Sequence, residues 1–192
     1  MRKAIKEDKD LVVGILCSAF KPIKIPNSIN FVVKQDKHRN HRLKILMEYM
    51  FYNALKFGDI LISDNEKGVI LLQYHRKKML TFNTVFWDIK LAFCCIGIEN
   101  VYKVLKRENA LKKYHPKEPH IHPWIMAVKS EHWGRGTGVR LIQEAFEYYK
   151  DNDLPIIIET TTNSNLKLYK KFGFKIIKET HELDYPLYFL KR

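Results

Sequence analysis

Ile125-Met126-Ala127-Val128-Lys129-Ser130-Glu131-His132-Trp133-Gly134-Arg135-Gly136-Thr137-Gly138 is the stretch that decides the reading of this chain. Its first four residues form a short apolar run with the character of a strand. Three glycines follow within five residues, Gly134, Gly136 and Gly138. Glycine is a poor helix interior residue, but at the mouth of a helix it lets a ligand approach the backbone and meet its N–H groups. The spacing beyond predicts that helix, with Val139, Ile142, Phe146 and Tyr149 on one face and Arg140, Gln143, Glu144 and Glu147 away from it. Pro155-Ile156-Ile157-Ile158-Glu159-Thr160 then reads as a buried strand. A second helix is predicted near Ser164–Phe172, with Gly173 in the C′ place.

A strand that feeds a glycine loop and opens a helix is a device for holding phosphate, because the free N–H groups and the helix dipole both favour an anion. The nucleotide P-loop would need Gly-Lys-Ser/Thr at its end, and Val139-Arg140 stand there instead. The dinucleotide fingerprint Gly-x-Gly-x-x-Gly fails on its last spacing. A tight turn without a ligand would not call for a row of glycines.

Trp133-Gly134-Arg135-Gly136-Thr137-Gly138 resembles the acetyl-CoA signature of the GCN5-related N-acetyltransferase (GNAT) family, Gln/Arg-x-x-Gly-x-Gly/Ala, with Trp133 departing from Gln or Arg. Asn165-Leu166-Lys167-Leu168-Tyr169-Lys170-Lys171-Phe172-Gly173-Phe174 resembles a second family block, Asn-x-x-x-Tyr-x-x-x-Gly-Phe. The blocks stand in the family's order with a strand between them. The resemblance implies an α/β (α+β) GNAT fold. Its central sheet would be mixed, mostly antiparallel and of about six or seven strands, flanked by helices, with a helical insertion before the acetyl-CoA-binding strand. It also implies acetyl-CoA as co-substrate, held by Met126, Ala127, Val128, Trp133, Gly134, Arg135, Gly136, Thr137, Gly138, Asn165 and Tyr169.

At 192 residues the chain reads as one domain, 1–192. A hydrophobic share of 46% with 12% aromatics excludes disorder. No uncharged apolar run is long enough to span a bilayer, and Met1–Asp8 has no apolar leader core. Cys17, Cys94 and Cys95, an odd count with two adjacent, argue for a reducing cytoplasm and against a disulfide framework, and they show no metal-ligand spacing. No metal and no membrane partner are expected. The net charge of +13 is scattered along the chain and interleaved with acids, so it is read as attraction for an anionic cofactor, without nucleic acid as partner. A monomer or homodimer is expected.

In chain order, a first strand is expected at Arg2–Ile5. A helix follows, capped by Asp8 or Asp10, with Leu11, Ile15 and Phe20 inward, and Pro22 stops it. A short helix over Ser28–Lys34 comes next. A long one over Leu43–Phe57 has Leu43, Leu46, Met50 and Ala54 at helical spacing and ends at Gly58. Asp59–Ser63 and Val69–Tyr74 read as a hairpin. Phe82–Ile98 and Glu99–Tyr114 read as the helical insertion, in which Trp87, Leu91, Cys94 and Cys95 are packing residues. Pro116–Pro119 is a linker, and His120-Ile121-His122-Pro123-Trp124 leads into the glycine-loop strand. Strands at Lys175–Glu179 and Pro186–Leu190 close the sheet.

Acetyl transfer to an amine needs an anchored thioester, a donor for the developing oxyanion, a proton acceptor for the amine and a proton donor for the thiolate. By resemblance a backbone N–H near Val128 is the oxyanion donor, worth about 3 kcal/mol when water is excluded. By resemblance Tyr169 is the general acid, and a tyrosine suits a thiolate in acidity. The base is open among Glu159, His122, His120 and ordered water. By resemblance Asn165 bonds the cofactor; otherwise it caps a helix. The His-x-His-Pro-Trp lead-in and the insertion are similar to those of acetyltransferases that modify small amines. A protein or peptide N-acetyltransferase and a non-catalytic acyl-CoA-binding module remain as alternatives.

Overall fold

A computed structural model describes residues 1–74, 82–180 and 185–192. After a two-residue strand β1 (Arg2–Lys3), helices α1 (Lys9–Phe20), α2 (Ser28–Val32) and α3 (Arg39–Phe57) run into a hairpin of β2 (Gly58–Ile62) and β3 (Gly68–Gln73). The insertion is helical as expected. It comprises α4 (Phe82–Leu91), a π-helical turn over Ala92–Ile96 and α5 (Val101–Lys112). Then come β4 (Pro123–Val128), α6 (Thr137–Tyr148), β5 (Ile157–Thr160), α7 (Asn163–Lys171), β6 (Lys175–Thr180) and β7 (Leu187–Lys191).

The seven strands form two antiparallel sheets, ordered β1-β2-β3-β4 and β5-β7-β6. Among the described residues their backbones are joined only at a parallel bridge between Ile121 and Ile156, where Ile121 N–H donates to Pro155 O and Ile157 N–H to Ile121 O, each at 2.9 Å. The sheet is therefore mixed only at this seam. Beyond the bridge β4 and β5 are not laddered, so β4 keeps a free edge. Against β3, β4 carries one extra residue: Leu71 faces Ile125 and Leu72 faces Pro123, which leaves Trp124 as a bulge.

Helices α1 and α3 cover one face of the first sheet, where Ile60, Ile62, Val69, Leu71, Ile125 and Ala127 point. The four expected α3 positions, Leu43, Leu46, Met50 and Ala54, are all buried there. α3 stops at Gly58 because the backbone of β3 comes too close: a Cβ at Gly58 would lie 1.9 Å from Leu72 O. On α1, Ile15 is buried as expected, but Leu11 and Phe20 are half-buried and Val12, Leu16 and Ala19 complete the face. Neither acidic residue caps α1. Asp10 lies within it, and the Asp8 carboxylate instead accepts from Ile5 N–H and the Arg2 guanidinium.

α6 covers the opposite face. Ile142 is buried as expected and Phe146 and Tyr149 are half-buried, but Val139 is 39% exposed. Leu141 takes its place, packed with Leu61, Ile70 and Leu72. The helix starts only at Thr137, so Val139 stays in the first turn, above the glycine loop. In the insertion Cys95 is buried and Trp87 and Leu91 are half-buried, whereas Cys94 is exposed and does not pack.

Candidate active site

The free edge of β4 follows from its register. Lys129 N–H donates to Lys67 O across the β3 ladder. Alternation then turns the backbone groups of Ala127 toward Val69, and those of Met126 and Val128 outward. Of the three strand residues expected to meet acetyl-CoA, two thus present main-chain donors and acceptors to the gap, and Ala127 spends its own on the sheet. Trp133 uses the gap as well: its indole Nε1–H donates to Val128 O at 2.9 Å.

The loop that follows is pinned at its start, where Ser130 N–H donates to Ser18 Oγ of α1 at 3.0 Å. Gly134 and Gly136 have φ of +70° and +77°, left-handed values that a side chain resists. Gly136 is the N-cap of α6, and Arg140 N–H closes the first turn onto its carbonyl. The N–H groups of Thr137, Gly138 and Val139 have no acceptor within the helix. A Cβ at Gly134, Gly136 or Gly138 would meet nothing within 4 Å, so the loop faces open space. Arg135 and Arg140 are exposed beside it. Free N–H groups, an open approach and flanking positive charge suit the loop to an anion.

Tyr169 is carried on α7. Gly173, with φ of +84°, ends that helix and lets Phe174 N–H donate back to Tyr169 O. The tyrosine ring packs with Ile142, Ile158, Leu166, Phe174 and Leu190. It lines an apolar cavity of about 30 Å³ shared with Met126, Ile142, Ile158 and Phe174, so both sheets contribute walls. Burial pushes its hydroxyl up to about 12. Asn165 is exposed on the first turn of α7. The helix begins at Asn163 with Thr162 in the cap position, so Asn165 is not a cap.

Glu159 lies on the other face of β5. It stands directly opposite Phe189 in the register, as Ile158 stands opposite Leu190. Ile158 and Leu190 share the Tyr169 face, so Glu159 and Phe189 share the far one. There His115, just beyond α5, donates through Nε2 to Glu159 Oε1 at 2.6 Å. His122 Nε2 is 3.6 Å from the same oxygen, an electrostatic contact too long for a hydrogen bond. His122 is only 3% exposed, and burial pushes its pKa down, with Glu159 opposing. Burial alone would raise the Glu159 carboxyl, but the two histidines hold it well below the usual carboxylate range. His120 stays at one remove: its ring lies parallel to that of His115 at 6.3 Å and its Nδ1 is 2.8 Å from Glu118 O.

The structure thus unites two of the expected base candidates, Glu159 and His122, and adds His115, which sequence reasoning missed. A His-Pro pair after a lysine-rich helix end carries no motif. Only its proximity to a histidine-bearing lead-in hinted at it.

Residues 90–176 match the model of the acetyltransferase (GNAT) domain. β4, the glycine loop, α6, β5 and α7 all lie within this match. Acetyl transfer is the general activity of that family. The whole fold agrees. A Corynebacterium glutamicum structure described as histone acetyltransferase HPA2 and related acetyltransferase has a TM-score of 0.64 at 20% identity, covering 99% of this chain and 93% of its own. Arylalkylamine N-acetyltransferase 2 of Aedes aegypti has a TM-score of 0.62 at 16% identity, covering 100% and 96%. An N-acetyltransferase of Staphylococcus aureus Mu50 has a TM-score of 0.59 at 14% identity, covering 100% and 98%. Among the described residues, no helix is long and apolar enough to cross a membrane.

Proposed function

We propose that this chain is a GNAT N-acetyltransferase that transfers the acetyl group of acetyl-CoA to the primary amine of a small molecule by direct attack. The observation that carries the reading is the free β4 edge opening beside the anion cradle at the α6 N-terminus. Gly134–Gly138 hold the pyrophosphate through backbone N–H groups, and Arg135 and Arg140 add charge. The outward groups of Met126 and Val128 hold the arm that enters the gap, and an N–H there meets the acyl oxygen. Acetyl-CoA supplies the activated acyl group.

The two proton-handling groups then flank the gap from opposite faces of β5. His122, kept neutral by burial, receives the proton of the amine, directly or through water, and the Glu159 carboxylate beside it stabilises the imidazolium that forms. Tyr169 returns a proton to the departing sulfur. A tyrosine held at about 12 is a weak acid against an ordinary thiol of about 8.5. An apolar wall also disfavours a thiolate as it forms, which raises the departing sulfur's affinity for a proton toward that of the tyrosine. Tyr169 stays protonated at neutral pH, as a donor must.

A slim acceptor is favoured by the cover over Glu159. Leu111 of α5, Tyr185, Leu187 and Phe189 pack together there, with Phe31 of α2 and Tyr114 against them. Arg107 is buried on Tyr185, donating to its hydroxyl at 2.6 Å. An amine on a narrow arm can pass such a cover, whereas a peptide needs an open groove. The test is thiol release from acetyl-CoA with a panel of small primary amines and lysine peptides. Turnover with amines and not peptides is expected. Peptide-selective turnover, or none with any acceptor, overturns the reading.

A further inference from the structure

His115, His122 and Glu159 bring together side chains of the kinds that ligate a transition metal. One nitrogen of each histidine and one carboxylate oxygen lie within 4.8 Å of one another. Two imidazoles and a carboxylate suit Zn2+, and Co2+ of the same charge. Bonds of about 2.0 Å to a tetrahedral zinc place ligand atoms roughly 3.3 Å apart. The 3.6 Å between His122 and Glu159 is close to that spacing. The 2.6 Å between His115 and Glu159 has to open by about 0.7 Å as the proton between them gives way to a larger ion, and the two imidazoles, within 4.8 Å of each other, have to draw in to that spacing.

The three ligands come from three separately anchored segments: the turn after α5, the lead-in to β4, and β5 itself. The His115 ring is packed edge-on against Phe189 at 5.6 Å, and His122 is almost wholly buried. Arg107, the cation that Glu159 favours, is tied to Tyr185 and Glu108. We propose that His115, His122 and Glu159 bind one divalent transition-metal ion, with zinc preferred. An ion there takes the lone pairs that receive the amine's proton, so loading suppresses acetyl transfer. That last consequence rests on the proposed function; the binding does not.

The test uses the full chain freed of metal and Co2+ as the probe. Wild type should show the visible bands of four- or five-coordinate cobalt at one ion per chain, displaced by Zn2+. His115→Ala and Glu159→Gln should each weaken binding by about tenfold or more, while His41→Ala, on the exposed side of α3, binds as wild type. Zinc should raise the Tm of wild type and not that of Glu159→Gln. Should His115→Ala fail to fold, Glu159→Gln, nearly isosteric, decides alone. Absence of cobalt bands, or equal affinity in wild type and Glu159→Gln, overturns the site. If metal binds and turnover persists, the site stands and the assignment of the proton acceptor falls. If turnover requires Glu159 and no metal binds, the reverse holds.

Discussion

The indole N–H of Trp133 donates to the carbonyl oxygen of Val128 at 2.9 Å, and so ties the start of the glycine loop to the free edge of β4. The family usually has Gln or Arg at this place, and each of those also carries N–H donors. The indole therefore keeps the donor while changing its shape.

Removing that donor tests its use. Trp133 is 46% exposed, so Trp133→Phe should leave Tm nearly unchanged. The lost hydrogen bond is worth about 1 kcal/mol, and acetyl-CoA affinity should fall about fivefold, because the ligand must then order the loop. Trp133→Arg should bind like wild type. Calorimetry on the three proteins decides, and undiminished affinity in the Phe variant would show that the tie does not matter.

Two glycines of the loop separate conformational need from ligand approach. Gly136→Val forces a branched residue to φ of +77°, at a cost of about 1–2 kcal/mol in stability, and it sets a side chain where the pyrophosphate must sit. Gly138→Ala meets nothing within 4 Å and lies in the helix, so it should stabilise the fold by a few tenths of a kcal/mol, up to about 1 kcal/mol. Acetyl-CoA binding should be abolished in the first. If Gly136→Val binds acetyl-CoA with wild-type affinity, the loop is not the pyrophosphate site.

What the sequence made legible was local. The glycine loop, the Asn165–Phe174 block and the 3.6-residue spacing of Leu43, Leu46, Met50 and Ala54 are set by neighbours along the chain. The pairing of His115 with Glu159 arises because α5 packs on Tyr185 and Phe189, and no local pattern encodes it. The bulge at Trp124 is equally silent, since it exists only relative to β3. Val139 misled because its spacing fits the buried stripe while its position, one turn from the loop, lies beyond the sheet.

Tyr169→Phe isolates the proposed acid. The ring and its contacts with Ile158, Phe174 and Leu190 remain, so fold and acetyl-CoA affinity should be unchanged. kcat should fall by about 10²–10⁴, with KM for acetyl-CoA little altered. Steady-state kinetics with a substrate found in the amine panel reads this directly. Wild-type kcat in the variant would reduce Tyr169 to a packing residue.

The buried tyrosines also set an alkaline limit. Burial pushes the Tyr169 hydroxyl up to about 12. It raises Tyr49 further, where Asp88 accepts its hydroxyl at 2.8 Å, and Tyr149, beside Tyr74. An unfolded tyrosine ionises near 10. Because the folded values are higher, the neutral rings contribute their full stability below pH of about 10, and that contribution drains away as pH rises through about 12. For Tyr169 alone the loss is about 2–3 kcal/mol, from a shift of roughly two units. Thermal unfolding measured across this window should show Tm falling steeply above pH of about 10. Tyr169→Phe should fall less steeply than wild type, because one of the groups that must ionise is gone. Parallel curves for the two proteins would mean that the Tyr169 hydroxyl is wet in the folded chain, and would also undo its match to a buried sulfur.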